Sequence, residues 1–456
     1  MPAGCPTTAA RLEPLNAGVL GAAWWIDSLS ASAPPESMSA APLPSTGAVT
    51  GLKETLDFFG DPGFAQKRFE AYGDVFETKL LAQRIVFIRG ERAIGELLNQ
   101  GDALEGWWPE SVKQLLGSRS LANRSGAGHK ARRRVVGQLF SSAALVRYSP
   151  SIVGLIDGLA DELMTADGPV PLAGRMRRFA FAVIATTVLG LDAASREALF
   201  ADFEVWTKAL FSIPLAIPGT PFARAMAARQ RLLSRIKAVL QEGSNEGGLD
   251  LISGGLDEAG IPLDDDDLAE QLLLLLFAGY ETTASSLSCL FRALLLHPEV
   301  MDWLQPEVVA APWPATTSVQ SPKLDATVLE VMRQTPPVGG FFRRSLRPIE
   351  LADVAVPANS VIQVALTPSA ATDGSDLAQF RPQRHLDGSF DQTLLPFGGG
   401  ERVCLGKALA ELEIRLMAVG LLQKVQLQLV PDQDLALQLV PSPTPRGGLL
   451  VSASAR

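Results

Sequence analysis

The chain has 456 residues, a formal net charge of −9 and three cysteines. This length allows two or three average domains or one large enzyme. The acidic balance argues against a nucleic-acid-binding protein, because such affinity comes mainly from clustered cations that neutralise phosphates. So few cysteines argue against a disulfide framework, and we expect a reducing, cytoplasmic setting.

The first 45 residues differ in composition from the rest. An apolar run, LNAGVLGAAWWI, is followed by a tract rich in Ser, Ala and Pro. The run is shorter than the roughly 20 residues that span a bilayer, and a secretory signal would need a more basic region before it. We therefore predict a disordered leader over residues 1–45 and a catalytic domain over residues 46–456. Peripheral membrane contact through Trp24 and Trp25 is the alternative.

From residue 51 the pattern becomes that of a globular protein. KETLDFFGDPGFAQKRFEAYG has helical spacing, FETKLLAQRIVFIRG alternates like two strands joined by a turn, and ERAIGELLNQG is helical. GWWPESVKQLLGSRSL has no regular period and predicts a loop, in which Trp107 and Trp108 either touch a ligand or anchor the core. Residues 155–240 are mostly helical. The prolines of FSIPLAIPGTPF interrupt them with an apolar loop that either lies over a ligand or packs back onto the body.

A basic segment, GAGHKARRRVVGQLFSS, is predicted to form a helix. His129 and Arg133 are four residues apart and so share one face. The ordinary interpretation of such a run is a solvated basic face. Lys130, Arg132 and Arg134 would face outward and form a cationic patch that could steer an acidic protein partner.

The most apolar segment, QLLLLLFAGYETTASSLSCLFRALLLHPE, predicts a helix of about 30 residues through the centre of the protein. Four aspartates at 264–267 suit the positive end of this helix, and His297 with Pro298 supplies its end. Glu281 and Thr282 lie in its middle. Because buried polar groups cost stability, these two residues need partners or a function.

The C-terminal part contains weaker signals. Glu330 and Arg333 share one helix face, which by itself is weak evidence for an ion pair. The stretch 298–324 has an irregular pattern. The last segment, LALQLVPSPTPRGGLLV, predicts a hairpin whose turn lies near residues 441–445.

The segment LPFGGGERVCLG places Cys404 on a glycine-rich loop before an apolar helical pattern. Backbone N–H groups and the positive helix end would favour a thiolate, and a thiolate binds metals. No second cysteine or histidine stands at zinc spacing. Haem suits one thiolate, because the porphyrin fills four positions on the iron. A buried structural thiol is the plain alternative.

The pattern Phe397, Gly400, Arg402, Cys404, Gly406 resembles the haem-binding signature of the cytochrome P450 family. The sequence AGYETT in the long helix is similar to the family's oxygen-activation motif. The resemblance covers about residues 45 to 456. It implies a mainly α fold with small β-sheets, in which a haem b lies between the long central helix and the helix after the cysteine loop.

The resemblance also assigns roles to residues. Cys404 would be the axial ligand of the iron, and Glu281 and Thr282 would be the catalytic pair that supplies protons while dioxygen is activated. Ala278 and the glycine after it would let the long helix approach the haem. The remaining cofactor-binding residues that the resemblance implies are His129, Arg133, Arg343 (with Arg344 as the alternative), Phe397, Arg402 and Gly406.

Behind the cysteine loop, Glu330, Arg333 and Arg384 resemble the buried ion-pair triad of the family. His385 stands where the family usually has a large apolar or aromatic residue. We therefore expect weaker packing at this position.

The function that the resemblance implies is a haem-thiolate monooxygenase acting on a lipophilic small molecule. Electrons would come from a ferredoxin or flavodoxin with its reductase, and we expect a monomer. EVMRQTPPVGGFFRR and FSIPLAIPGTPF are most similar to the branch that oxidises retinoids, apocarotenoids and sterols. The alternatives are a peroxygenase or isomerase acting on fatty acids or terpenoids, against which the Glu281–Thr282 pair argues, and a non-enzymatic haem or lipid carrier.

Overall fold

Helices form most of the regular structure of the described residues and small sheets form the remainder of it, as the resemblance implies. The computed structural model describes residues 40–47, 51–61, 63–80, 83–210, 212–243, 247–314, 321–366 and 376–456. Residues 1–39, which include most of the predicted leader, lie outside the described residues. The elements below all belong to the unit of residues 42–456.

The N-terminal part alternates helices with strands of one sheet. Its elements are α1 (Leu52–Gly60), α2 (Phe64–Tyr72), β1 (Val75–Leu80), β2 (Gln83–Ile88), α3 (Glu91–Leu98), β3 (Leu104–Gly106) and α4 (Glu110–Leu116). The predicted strand pair is confirmed, because β1 and β2 are antiparallel with Val75 opposite Ile88. The predicted loop around the two tryptophans is partly wrong, since α4 begins directly after Pro109.

The middle of the chain is helical. Its elements are α5 (Gly126–Gly137), α6 (Ser142–Met164), β4 (Val170–Pro171), α7 (Leu172–Thr187), α8 (Ala193–Thr207), α9 (Pro221–Glu242) and α10 (Asp265–Leu296). Between α8 and α9 the predicted apolar loop is present. It exposes Ile213, Leu215 and Ile217 to solvent, so these side chains do not pack back onto the body.

Helix α10 is the predicted central helix. It has 32 residues, and the side chain of Asp264 caps its start by accepting a hydrogen bond from the backbone N–H of Asp267. It packs against α7 and α9. By length and composition it could cross a membrane, but 67% of its most apolar window is buried inside the protein. A core helix has this character, because its hydrophobic surface is covered on nearly all sides.

The C-terminal part combines helices with short strands. Its elements are α11 (Pro298–Ala310), α12 (Pro322–Gln334), β5 (Gly340–Ser345), β6 (Ile349–Leu351), β7 (Val354–Val356), β8 (Val361–Ala365), α13 (Lys407–Lys424), β9 (Val425–Leu429), β10 (Leu437–Gln438), β11 (Thr444–Pro445) and β12 (Leu450–Ala455). The largest sheet has the strand order β1-β2-β8-β5-β3. The C-terminal strands β5 and β8 therefore pair with strands from the N-terminal part of the chain.

Two further predictions concern this C-terminal part. The irregular pattern after residue 298 conceals helix α11, which contains Pro306 within it. The predicted terminal hairpin is confirmed as the antiparallel pair β10–β11. The carbonyl of Pro443 in its turn accepts hydrogen bonds from Ser285 Oγ at 2.7 Å and Cys289 Sγ at 3.5 Å, which attach the hairpin to α10.

Candidate active site

The cysteine loop folds back on itself immediately before α13. The backbone N–H of Cys404 donates to the carbonyl of Phe397 at 2.9 Å. Gly398 and Gly400 adopt φ angles of 70° and 67°, a left-handed conformation that side chains disfavour. Gly406 is the N-cap of α13. The glycines therefore let the chain turn tightly and present the sulfur ahead of the helix.

The thiol of Cys404 is subject to opposing effects. Part of Cys404 is exposed to solvent. The protein around the sulfur nevertheless buries it enough to raise the pKa of the thiol. A hydrogen bond from the Gly406 N–H lowers this pKa, as predicted for backbone donors, and the charge of Arg133 lowers it too, but burial outweighs both. Coordination to a metal ion is therefore what would make the thiolate the stable form.

Beside this loop, four nitrogen-bearing side chains come together from α5, β5 and the cysteine loop. His129, Arg133, Arg343 and Arg402 are buried or half-buried. Burial, followed by the charges of Arg402 and Arg133, lowers the pKa of His129 to about 4. At neutral pH the imidazole is therefore uncharged and can act as an N–H donor.

The three arginines of this group bond to backbone carbonyls. Arg133 donates to the carbonyl of Val403 at 2.7 Å, and Arg402 donates to that of Arg124 at 2.6 Å. Arg343 donates to the carbonyl of Phe342 at 2.8 Å. Within the described ranges, none of the three forms an ion pair with a carboxylate. The site therefore has an excess of positive charge.

The structure distinguishes between Arg343 and Arg344, which are neighbours on β5. Arg344 lies 3.5 Å from the carboxylate of Glu105. For Arg343, burial and then the charge of Arg402 lower the pKa to about 10. Arg343 therefore lies with His129, Arg133 and Arg402, and these four side chains are called the cation cluster. Arg344 already has an anionic partner.

Gly106 also shapes this cluster, although the sequence analysis did not identify it. A Cβ atom at this position would lie 2.6 Å from the guanidinium carbon of Arg402. Because any side chain would collide there, the glycine makes room for the guanidinium. A lone glycine at the end of a short strand carries no sequence signal for this role.

The predicted cationic patch on α5 is partly wrong. Arg132 does not face outward: it is buried and pairs with Asp267 and Glu258, both at 2.6 Å. An arginine this deeply buried needs anionic partners, and Asp267 in the first turn of α10 supplies one. Lys130 and Arg134 are exposed, and Lys130 lies 3.1 Å from Glu401.

The middle of α10 is accessible to solvent on one side. Ala278 is exposed and Thr282 half-buried, while the helix around them is largely buried. The Thr282 hydroxyl donates to the carbonyl of Ala278 at 2.7 Å, and Arg177 donates to Glu281 at 3.1 Å. A Cβ at Gly279 would lie 2.9 Å from Ile184 of α7. This glycine therefore lets α10 pack closely against α7.

The residues predicted to form a buried triad do meet. Arg333 contacts both carboxylate oxygens of Glu330, at 2.8 and 2.9 Å, and Arg384 reaches the same carboxylate at 3.1 Å. His385 also bonds to it, at 2.8 Å. The expectation of weaker packing at His385 is therefore wrong, because the imidazole is a fourth member of the cluster.

These groups fit a haem b. The arginines and the neutral imidazole can bind two propionates, which need cationic or N–H partners when buried. Cys404 offers one thiol ligand, as a porphyrin-bound iron requires. Ala278 provides an accessible small side chain on the central helix. Phe397 is half-buried, and the backbone hydrogen bond between it and Cys404 holds it beside the cysteine.

Comparison with known proteins decides the family. A family model described as Cytochrome P450 matches residues 62–442. The chain belongs to the cytochrome P450 family. The predicted fold, the haem b cofactor and the monooxygenase class are thereby confirmed.

Relatives of this P450 extend over nearly its whole length. Cytochrome P450 120 from Synechocystis sp. is 32% identical over 435 residues, which cover 91% of this chain and 98% of the relative. Human cytochrome P450 26C1 is 31% identical, with 85% and 83% covered. A solved structure titled "Retinoic acid bound cyanobacterial CYP120A1" matches with a TM-score of 0.84 and 31% identity, covering 92% of this P450 and 100% of that chain.

Proposed function

We propose that this P450 hydroxylates a retinoid or a related apocarotenoid. The observation that carries the proposal is the likeness, over nearly all of both chains, to a P450 structure that contains retinoic acid. The exposed apolar loop between α8 and α9 supports a lipophilic substrate, because such surface favours contact with apolar molecules. Sterols are also apolar, so they are the competing substrates with which the retinoid must be compared.

The residues of the cysteine loop and the cation cluster hold the cofactor. Cys404 would ligate the iron, and His129, Arg133, Arg343 and Arg402 would bind the propionates. The three converging arginine charges lower the cost of burying the two carboxylates. When bound through a thiolate, haem supplies the activation of dioxygen.

Three further residues complete the cofactor pocket. Ala278 on α10 is exposed, and its small side chain would leave space for the haem. Phe397 and Gly406 would shield the thiolate side of the cofactor around Cys404, and the Gly406 N–H hydrogen-bonds the sulfur.

Glu281 and Thr282 supply protons to the reaction. Hydroxylation consumes one dioxygen, two electrons and two protons and yields the alcohol and water. The Thr282 hydroxyl, which here donates to the carbonyl of Ala278, would supply a proton to the reaction, and Glu281 would take up protons from solvent to replace those consumed. Both residues can perform this role from their positions on α10.

Electrons come from a separate ferredoxin or flavodoxin with its reductase. Lys130 and Arg134 are exposed on α5 and offer positive charge to an acidic partner. The contribution of Lys130 is reduced by Glu401, at 3.1 Å. A monomer acting in the cytoplasm is part of the same proposal.

Two measurements test the proposal in sequence. The dithionite-reduced carbon monoxide adduct should show the red-shifted Soret band of thiolate ligation, and Cys404→Ser should lose it. Spectral titrations should then show displacement of the axial water by retinoic acid, with weaker responses to a sterol and a fatty acid. Turnover with a surrogate ferredoxin system should yield a hydroxylated retinoid. Binding of the sterol in preference to retinoic acid would overturn the substrate assignment, while peroxide-driven turnover without electron transfer would favour a peroxygenase.

A further inference from the structure

A polar recess lies in the protein surface between α7 and the β10–β11 hairpin. It has a volume of about 250 Å³, and its walls come from residues 171–177 and 438–448. Two arginines line it, Arg177 of α7 and Arg446 after β11, and among the described residues no aspartate or glutamate lines it. None of the residues assigned to the cofactor lines it either. The recess is therefore a separate cavity with a positively charged lining.

The two arginines differ in the partners that the protein already gives them. Arg177 donates to the Glu281 carboxylate at 3.1 Å, and this ion pair compensates its charge. Arg446 is exposed, and no carboxylate of the described residues lies within ion-pair distance of it. The recess therefore carries an uncompensated charge of about +1, which favours the binding of a singly charged anion.

Ser442 gives a second, independent indication of a ligand. Only 4% of this residue is exposed, and it lines the recess from the turn of the hairpin. Its carbonyl accepts a hydrogen bond from Thr444 Oγ1 at 3.2 Å, but in the part of the chain that the structure describes its hydroxyl has no partner. A buried hydroxyl without a partner costs stability, so such groups are normally satisfied by water or a ligand. The hydroxyl is therefore available to a molecule in the recess.

We propose that this recess binds a small organic carboxylate. Arg446 offers a planar fork of N–H donors that matches the two oxygens of a carboxylate, and Ser442 adds a hydroxyl donor. Arg177 contributes the N–H groups that do not bond to Glu281. Since a water molecule occupies roughly 30 Å³ in the liquid, a volume of about 250 Å³ has room for about eight non-hydrogen atoms. An acid of the size of lactate fits this volume.

The charges of the recess favour a carboxylate over a phosphate. A phosphate group carries about −1.5 to −2 charges at pH 7, and the charge beyond the first would have no partner in the recess. It would also repel the Glu281 carboxylate, which Arg177 already binds. A bound carboxylate would connect α7 to the hairpin, through Arg177 on one side and through Arg446 and Ser442 on the other. Binding should therefore stabilise the folded protein.

Binding of lactate to the haem-containing protein tests the proposal without turnover. Saturation-transfer NMR is measured on the reduced carbon monoxide adduct, whose iron is diamagnetic and closed to the acid. We expect saturable binding with a Kd on the order of 1 mM, as suits so small a ligand. Lactamide, which has a similar shape without the charge, should not bind. Absence of saturable lactate binding, or equal binding of lactamide, would overturn the proposal, and tighter binding of inorganic phosphate would overturn the carboxylate assignment.

Two variants locate the binding in the recess. Arg446→Gln should weaken lactate binding by at least about tenfold, because it removes a charged donor. Ser442→Ala should weaken it by about fivefold without loss of stability, because the hydroxyl has no partner in the described protein. Arg178→Gln is the matched control, since Arg178 is also on α7 but pairs with Glu197 at 2.8 Å and does not line the recess. Equal affinities of Arg446→Gln and Arg178→Gln would overturn the site.

A carboxylate attached to the protein itself provides a test without added ligand. Gly174 of α7 lines the recess, and a Cβ at this position meets no other part of the protein within 4 Å. Gly174→Glu should abolish lactate binding, whereas Gly174→Gln should retain part of it. Gly174→Glu should also unfold at a higher temperature than Gly174→Gln, and this difference should shrink when Arg446→Gln is added to both. A difference that Arg446→Gln leaves unchanged would come from the helix end and would overturn Arg446 as the partner of the anion.

Discussion

Glu330 and Glu413 are both almost completely buried, but their carboxylates lie in opposite electrostatic surroundings. Burial would raise the pKa of Glu330, yet its bonds to Arg333 and His385 lower it to about 2. Glu413 lies on α13, and its Oε2 has no hydrogen-bond partner in the part of the chain that the structure describes. Burial therefore raises the pKa of Glu413 well above its usual value.

Removing the Glu330 charge should destabilise the protein at neutral pH. Glu330→Gln leaves the buried Arg333 without its anion and leaves Arg384 with Asp376 alone, and breaking a buried pair in this way typically costs about 3–5 kcal/mol. The pKa of the wild-type carboxyl falls from 4.5 to about 2 on folding, so its contribution of about 3 kcal/mol is present above pH 4.5. It is lost as the pH falls towards 2.

Urea unfolding followed by circular dichroism at neutral and acidic pH measures this effect. The gap between wild type and Glu330→Gln should shrink below pH 4.5. Glu299→Gln is the control, because Glu299 is exposed on α11 beside His297. Equal unfolding midpoints of Glu330→Gln and wild type at pH 7 would contradict a role of this cluster in stability.

Glu413 should behave in the opposite way. Burial raises the pKa of its carboxyl well above 4.5 in the folded protein, so above about pH 4.5 the folded state binds more protons than the unfolded chain and wild-type stability falls as the pH rises. Glu413→Gln removes this dependence and should be more stable than wild type at pH 7. Thermal unfolding across pH should show the advantage disappearing near pH 4. A variant with the same pH dependence as the wild type would refute this account.

Arg343 and Arg344 provide a matched pair for haem retention. Arg343→Gln should raise the rate of haem transfer to an acceptor globin by about tenfold, as expected for the loss of one charge-assisted hydrogen bond. Arg344→Gln should change it little, since Arg344 pairs with Glu105. Circular dichroism would verify that both variants are folded. Equal rates for the two variants would show that Arg343 does not bind a propionate.

At the scale of elements, the sequence predicted those whose pattern is strong. Helix α10 was predictable because its apolar run is long and its ends carry acidic residues and a proline. Helix α4 was missed because Pro109 and two tryptophans look like a loop, although proline is tolerated where a helix starts. Helix α11 was missed because Pro306 lies within it. Proline weakens the helical pattern of a sequence more than it weakens the helix in the packed structure.

The edge strand β3 offers a test of an element in the site. Gly106→Ala should push the guanidinium of Arg402 out of the cation cluster and speed haem loss, because the new Cβ would lie 2.6 Å from it. The measurement is again haem transfer to an acceptor globin. Gly95→Ala in α3 is the control, since open space surrounds that position, and it should stabilise by up to about 1 kcal/mol. Unchanged haem retention in Gly106→Ala would argue against a tight fit at β3.

For the whole molecule, the site combines residues that no local pattern could bring together. The family motif predicted Cys404, and resemblance supplied the members of the cation cluster. Arg177 and Gly106 could not be predicted, because their roles depend on how α7 meets α10 and how β3 meets the cysteine loop. The role of His385 required the folded position of Glu330. Contacts between distant segments were the information that the sequence lacked.

The excess positive charge of the site predicts how the protein responds to removal of its cofactor. The haem-free protein should unfold at a lower temperature, because a ligand that binds the folded state stabilises it and the clustered cations then repel one another. Added salt should recover part of the loss by screening this repulsion. Differential scanning calorimetry of both forms at low and high salt measures this. A difference that does not depend on salt would argue against cation repulsion as its cause.

The attachment of the terminal hairpin to α10 has a consequence for how this enzyme can change over generations. Ser285 and Cys289 both bond to the carbonyl of Pro443, a main-chain atom that every amino acid supplies. Substitutions in the turn can therefore accumulate without detaching it from the helix that carries Glu281 and Thr282. New selectivity could arise in the hairpin while the chemistry on α10 is inherited unaltered.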